Sequence, residues 1–284
     1  MKVLVTGYGG QLGYDVVREG TMRGLEMIGT TSHDLNITDK REISGYINKL
    51  NPDAIIHCAA YTAVDKAEDD QENCYDVNVN GTKYLVEAAK ATNAKFVYIS
   101  TDYVFDGEGE IPFSENSTPN PIGYYGETKY QGEQIVQSLL DEWFIVRISW
   151  VFGINGNNFI KTMLRLSETR DELSVVGDQY GSPTYTYDLS RLLIDMVQTN
   201  RYGVYNASNE GFCTWAEFAE EIFKLSNREV KVQAISTEEY PTRAVRPRNS
   251  RMYKDKLVSN GFMLLPEWRD ALSRYLSELS QGVK

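Results

Sequence analysis

Residues 3–13 read Val3-Leu4-Val5-Thr6-Gly7-Tyr8-Gly9-Gly10-Gln11-Leu12-Gly13. Val3 to Thr6 is a short apolar strand, and Gln11 opens a helix running to Glu19. Between them, Gly7, Gly10 and Gly13 form a GxxGxxG loop, while the commoner GxGxxG pattern fails because position 12 is Leu. Glycine suits a backbone that must turn tightly and let a pyrophosphate come close. The helix N-terminus then offers free N–H groups to that anion. Placed between a first strand and a first helix, the loop points to a bound dinucleotide.

The alternation continues outward. Met27 to Thr31 is strand-like and Asp39 to Leu50 helical. Ala54 to Ala60 is a strand ending in small residues, and Val77 to Thr92 is helical. Lys95 to Ser100 is a strand, Tyr125 to Leu140 a long helix, and Phe144 to Ser149 a strand. Short strands apolar on both faces and separated by helices imply a parallel sheet covered on both sides, a Rossmann-type doubly wound α/β fold. Past residue 150 the alternation fades into loops, an amphipathic helix from Trp215 to Leu225 and a basic irregular stretch from Pro241 to Ser250. The expected division is a dinucleotide-binding domain over 1–150 and, over 151–284, mainly a smaller substrate-binding lobe, with some segments returning to the core.

The chain has 284 residues, enough for two domains without disulfide or metal staples. Its net charge of −11 argues against nucleic acid or an anionic membrane as partner. No apolar run is long enough to span a bilayer. Cys58, Cys74 and Cys213 are scattered and odd in number, which reads as reduced structural thiols, and the N-terminus runs straight into a strand. Both features lead us to expect a cytoplasmic protein. His33 and His57 show no metal-ligand spacing, and no metal is expected.

An acid at the end of the second strand would bind an adenosine ribose. Here Thr30-Thr31-Ser32-His33 stands there instead, which allows a 2′-phosphate and hence NADPH, with Asp34 a few residues on as the competing ribose ligand for NADH. Tyr125 and Lys129 are spaced i, i+4 on the long helix and share a face. A phenol is a poor acid–base catalyst at neutral pH, and a neighbouring ammonium lowers its pKa. Upstream, Ser100 and Thr101 end a strand where ligands of open α/β sheets bind. They point to opposite faces, so one of the two hydroxyls is expected to meet the ligand.

These stretches, with Thr62-Ala63-Val64-Asp65-Lys66-Ala67-Glu68, Ser100 through Phe105, Arg147 through Phe152, Asp178-Gln179-Tyr180-Gly181 and Arg246-Pro247-Arg248-Asn249-Ser250, resemble the extended short-chain dehydrogenase/reductases. Within them the chain resembles the dTDP-4-dehydrorhamnose reductase family along essentially its whole length. The resemblance implies NADPH- or NADH-dependent reduction of the C4 ketone of a dTDP-sugar, the last step of dTDP-L-rhamnose synthesis. It implies Thr101, Tyr125 and Lys129 as catalytic residues. Gly7, Gly10, Gln11, Leu12, Gly13, Thr30, Asn36, Ile37, Ala59, Ala60, Tyr61 and Thr62 would join Tyr125 and Lys129 in holding the cofactor. Thr101, Asp102 and Trp150 would contact the sugar. Asn36 departs from the Asp usual at its position, though its amide can still bond an adenine edge.

Three alternatives share the resemblance. A sugar-nucleotide dehydratase needs Asp-Glu after the catalytic Thr, and here Tyr103 follows Asp102. Another 4-ketoreductase or an epimerase stays open. A non-catalytic NADP-binding regulatory subunit of methionine adenosyltransferase is opposed by the complete Thr101, Tyr125 and Lys129 set. Some reductases of this family gather carboxylates of two chains around Mg²⁺. Here Asp15 stands at one such position, but Tyr187 at the other, with Asp188 beside it. A monomer or a metal-independent homodimer is therefore expected.

Overall fold

A computed structural model describes residues 1–282. Its longer strands are β1 (Lys2–Thr6), β2 (Glu26–Thr30), β3 (Ala54–His57), β4 (Lys95–Thr101), β5 (Trp143–Ile148), β6 (Glu172–Val176), β7 (Gly203–Asn206) and β8 (Lys231–Ile235). The long helices are α1 (Gln11–Met22), α2 (Lys40–Leu50), α3 (Thr82–Thr92), α4 (Tyr124–Leu139), α5 (Phe159–Leu166), α6 (Thr186–Val197), α7 (Trp215–Leu225) and α8 (Trp268–Ser280). The main sheet is wholly parallel, in the order β7-β5-β4-β3-β1-β2.

Alternation along each strand explains the layers. Val3, Val5, Ile56, Val97 and Val146 face one way and pack with Leu189 and Leu193 of α6. Leu4, Ile55, Phe96 and Ile145 face the other, against Ile43 of α2 and Leu85 and Val86 of α3. Helix ends follow local chemistry: Asp39 caps α2 by accepting from the amides of Arg41 and Glu42 at 2.8 and 3.1 Å. Asn51 and Asn93 end α2 and α3 in the left-handed region.

One helix departs from expectation. Asp76–Gly81 is a π-turn, and the α-helix begins only at Thr82. Thr82 Oγ1 donates to the Asn78 carbonyl at 2.7 Å inside this segment. Apolar periodicity does not separate a short π segment from α-helix.

Beyond residue 150 the chain divides its contributions. β7 pairs with β5 as the sheet's edge, and α6 packs on the sheet. Elsewhere β6 pairs in parallel with β8, and their inner residues join Phe152, Tyr185, Phe218, Trp268 and Tyr275 in a separate apolar core.

Candidate active site

The carboxyl ends of the main-sheet strands open into a cleft of about 810 Å³. The β1–α1 loop forms one wall. Gly7 has φ +76°, and a Cβ there would stand 2.6 Å from the Ala59 nitrogen. A Cβ at Gly13 would stand 2.3 Å from the Gly7 carbonyl oxygen. Both positions therefore exclude any side chain, and Gly10, which precedes α1, supplies no side-chain cap to its amides. A tight glycine cradle beneath an uncapped helix start fits a pyrophosphate. Gln11, Leu12 and Thr30 line the same cleft, as do Asn36 and Ile37 beyond β2 and Ala59, Ala60, Tyr61 and Thr62 beyond β3.

Several of these side chains are already engaged. Gln11 Oε1 accepts from the Gly153 amide at 2.8 Å and from Asn158 Nδ2 at 3.1 Å, tying the glycine loop to the segment before α5. What Gln11 offers a ligand is its backbone. Asn36 Oδ1 accepts from the amide and hydroxyl of Thr38, which leaves its amide nitrogen as donor. Asp34 is exposed, and its carboxylate accepts from the Thr31 amide at 2.9 Å and the Thr31 hydroxyl at 2.7 Å. Thr31 and Ser32 line the cleft, so hydroxyls rather than a free carboxylate face it there.

The corner that holds Thr101, Tyr125 and Lys129 is built on β4 and α4. Ser100 points away: its hydroxyl donates to Glu133 Oε1 at 2.5 Å. Thr101 faces the cleft, donates to Asp102 Oδ1 at 2.9 Å and accepts from the Tyr103 amide at 3.2 Å. Of the two candidate hydroxyls, Thr101 is the one in the cleft that Glu133 does not engage. Asp102 is buried, with Oδ2 unpartnered, and burial pushes its carboxyl up to about 6. Tyr125 stands edge-on to Tyr103 at 5.6 Å between ring centres. Lys129 is buried with its ammonium over the Tyr98 ring, 4.1 Å from the centre.

The electrostatics differ from the simple tyrosine–lysine expectation. Burial pushes the Tyr125 phenol above its ordinary value, reinforced by the Asp102 carboxylate and opposed by a hydrogen bond with Thr101. Burial pushes Lys129 down to about 7, with the Glu133 carboxylate opposing. The lysine rests on Tyr98 and is not among the groups that move the phenol. Tyr125 is thus kept protonated in this cleft.

A second cavity, about 880 Å³, adjoins the first and shares Tyr103 and Trp150 with it. Trp150 holds φ +48°, a conformation few side chains adopt, two residues after β5. Its ring stacks on Trp215 at 3.7 Å and 14°, and a Cβ on Gly181 would clash with it at 2.6 Å. Phe159, Gln179, Arg246 and Ser250 add apolar and polar lining. The Arg246 guanidinium donates to the Tyr103 hydroxyl at 3.0 Å and to the Asp65 carboxylate, while the Ala244 amide donates to Asp65 at 3.0 Å. Ala244 and Arg246 are thereby tied to the Val64–Ala67 helix. Among these lining residues the sequence pointed to Trp150 and left the others without a role. Arg246, Gln179 and Phe159 were visible in stretches that carry the family resemblance, Arg-Pro-Arg-Asn-Ser, Asp-Gln-Tyr-Gly and Asn-Asn-Phe, but nothing in those stretches gave them a role.

The acidic residues considered for a shared metal lie elsewhere. Asp15 accepts from the Thr186 hydroxyl at 2.5 Å, and Asp188 pairs in bidentate fashion with Arg274 at 2.8 and 2.7 Å.

Comparison with known proteins agrees with this geometry. The family model described as RmlD substrate binding domain matches residues 1–281. The chain is 39% identical to the spore coat polysaccharide biosynthesis protein SpsK of Bacillus subtilis, over 99% of both chains. It is 39% identical to the dTDP-4-dehydrorhamnose reductase of Aggregatibacter actinomycetemcomitans, over 95% of this chain and 97% of that one. The crystal structure of the Bacillus anthracis dTDP-4-dehydrorhamnose reductase in complex with NADP matches with a TM-score of 0.95 at 42% identity, over 98% of this chain and 99% of that one. With its fold, its paired clefts and these full-length matches, the chain belongs to the RmlD substrate binding domain family, which includes the dTDP-4-dehydrorhamnose reductases.

Proposed function

We propose that this chain reduces the C4 ketone of dTDP-4-dehydro-β-L-rhamnose to dTDP-L-rhamnose, as an NADP-dependent oxidoreductase in the cytoplasm. The observation that carries the reading is the meeting of the two clefts at Tyr103 and Trp150, beside Thr101, Tyr125 and Lys129. A dinucleotide in the first and a sugar nucleotide in the second would meet there. Residues 1–150 would serve mainly the cofactor and residues 151–284 mainly the sugar nucleotide.

When bound, NADPH supplies the hydride. The glycine cradle and the α1 amides would hold its pyrophosphate, and Thr31 and Ser32 would accommodate a 2′-phosphate. With no free carboxylate at that point, NADPH is served at least as well as NADH. Lys129 would hold the nicotinamide ribose. Thr101 would donate a hydrogen bond to the ketone oxygen and align it. Tyr125, kept protonated by burial, would give its proton to that oxygen as the alkoxide forms. The faces of Trp150 and Trp215 suit a deoxysugar with an apolar methyl.

The reading is tested by steady-state NADPH oxidation with a panel of 4-keto-6-deoxy dTDP-sugars. The highest kcat/KM is expected with dTDP-4-dehydro-β-L-rhamnose. A clear preference for a different sugar would retain the reductase and replace the substrate.

A further inference from the structure

We propose that residues 155–157 form a second wall of the pyrophosphate site, beside the glycine loop, and that Asn155 is the positioning residue that docks them there. The inference rests on the reading above in taking the first cleft as the NADPH site.

The segment after Trp150 returns to the glycine cradle before α5 begins. Gly156 and Asn157 line the first cleft together with Gly9 and Gly10. Asn155 makes the connection. Its Nδ2 donates to the Gly9 carbonyl at 3.0 Å and to the Gly10 carbonyl at 3.3 Å. On either side of it in sequence, the Gly153 amide and Asn158 Nδ2 donate to Gln11 Oε1. Residues 153–158 are thus fastened to the glycine loop at both ends and in the middle.

The polarity of the segment suits an anion. Lys161, in the first turn of α5, donates from Nζ to the Ile154 carbonyl at 2.6 Å and to the Gly156 carbonyl at 2.7 Å. Two oxygens that would repel a phosphate are thereby engaged by an ammonium. The amides of Gly156 and Asn157 have no partner among the described residues. Gly156 has φ +78°, and successive amides around a left-handed residue form a concavity that takes anions. No carboxylate occurs in residues 153–158. A pyrophosphate held by the α1 amides would therefore meet donors from a second side.

The test is ligand affinity of the full-length chain. NADPH is titrated by fluorescence, and adenosine 2′-monophosphate, which has the phosphorylated ribose but no pyrophosphate, by displacement of NADPH. Calorimetry with dTDP reports on the second cavity. Asn157 is exposed, so Asn157→Asp adds a charge at a position with no burial to lose. Its NADPH affinity is expected to fall about tenfold or more at low salt, and less at high salt. Asn155→Ala releases the segment from the glycine loop and is expected to weaken NADPH by about tenfold. A merely structural role would weaken all three ligands, whereas here the monophosphate and dTDP keep the affinity they have for the unaltered chain. NADPH affinity unmoved in either variant overturns the proposal, as does an equal loss for the monophosphate or for dTDP. Failure of the unaltered chain to bind NADPH overturns the cofactor reading instead.

Discussion

The carboxylate of Glu68 accepts a hydrogen bond from the backbone amide of Tyr124 at 2.9 Å, so a residue beyond β3 holds the first turn of the helix that carries Tyr125. The first amides of a helix lack partners within it. Glu68 satisfies one of them and its charge suits the positive end of α4. Glu68→Ala is therefore expected to cost about 1 kcal/mol of stability in denaturant unfolding. It should lower kcat roughly tenfold or more by misplacing Tyr125. Unchanged kcat in the variant would detach this bond from catalysis.

Asp102 makes a pH prediction. Its folded carboxyl is raised from 3.8 to about 6 by burial, so ionisation disfavours the native state. Stability from this group is greatest at low pH and is lost as pH rises from about 4 through 6. At pH 7 the penalty is on the order of 3 kcal/mol. Asp102→Asn cannot ionise. The difference in unfolding free energy between the variant and the unaltered chain should thus grow in the variant's favour between pH 4 and 7. A difference that is flat with pH would contradict the assignment.

Tyr125 and Lys129 should separate kinetically. Tyr125→Phe keeps the ring and its edge-on contact with Tyr103, so NADPH affinity is expected to stay roughly unchanged. Its kcat should fall by about 10² to 10⁴ with loss of the proton donor. Lys129→Ala should weaken NADPH binding and slow turnover together. Fluorescence titration with steady-state rates distinguishes the two patterns, and near-normal turnover in Tyr125→Phe removes the phenol from the mechanism.

Chelation should do nothing. Asp188 is committed to Arg274 and to Asn209, whose amide donates at 2.8 Å, and Tyr187 is a poor Mg²⁺ ligand beside carboxylates. Sedimentation and activity assays are expected to give the same mass and rate with and without EDTA. Dissociation of an oligomer on chelation would show a metal bridging two chains.

The parts of this site that were readable in the sequence are those that sheet geometry places unaided. A parallel strand order delivers the Gly7–Gly13 loop, the residues after β3, Thr101 and α4 to one edge. The choice between Ser100 and Thr101 needed the structure, because it depends on which face of β4 meets Glu133. Apart from Trp150, the second cavity was illegible for another reason. Trp150, Phe159, Gln179, Trp215 and Arg246 come from separate segments with no shared period. The Asp65 and Glu68 block was visible as a motif, but its work lies in distant partners, Arg246 and Tyr124. The i, i+4 spacing does set Lys129 and Tyr125 on α4. It misjudged the electrostatics, because spacing along a helix says nothing of Tyr98 beneath the lysine.

The most direct test of the account follows an isotope. NADPH carrying deuterium at both C4 positions of the nicotinamide is mixed with the chain and dTDP-4-dehydro-β-L-rhamnose, and the sugar product is examined by NMR. The account predicts dTDP-L-rhamnose with one deuterium at C4 of the sugar, formed in step with cofactor oxidation. Cofactor that binds but keeps its label, or a product with no deuterium at C4, would contradict it.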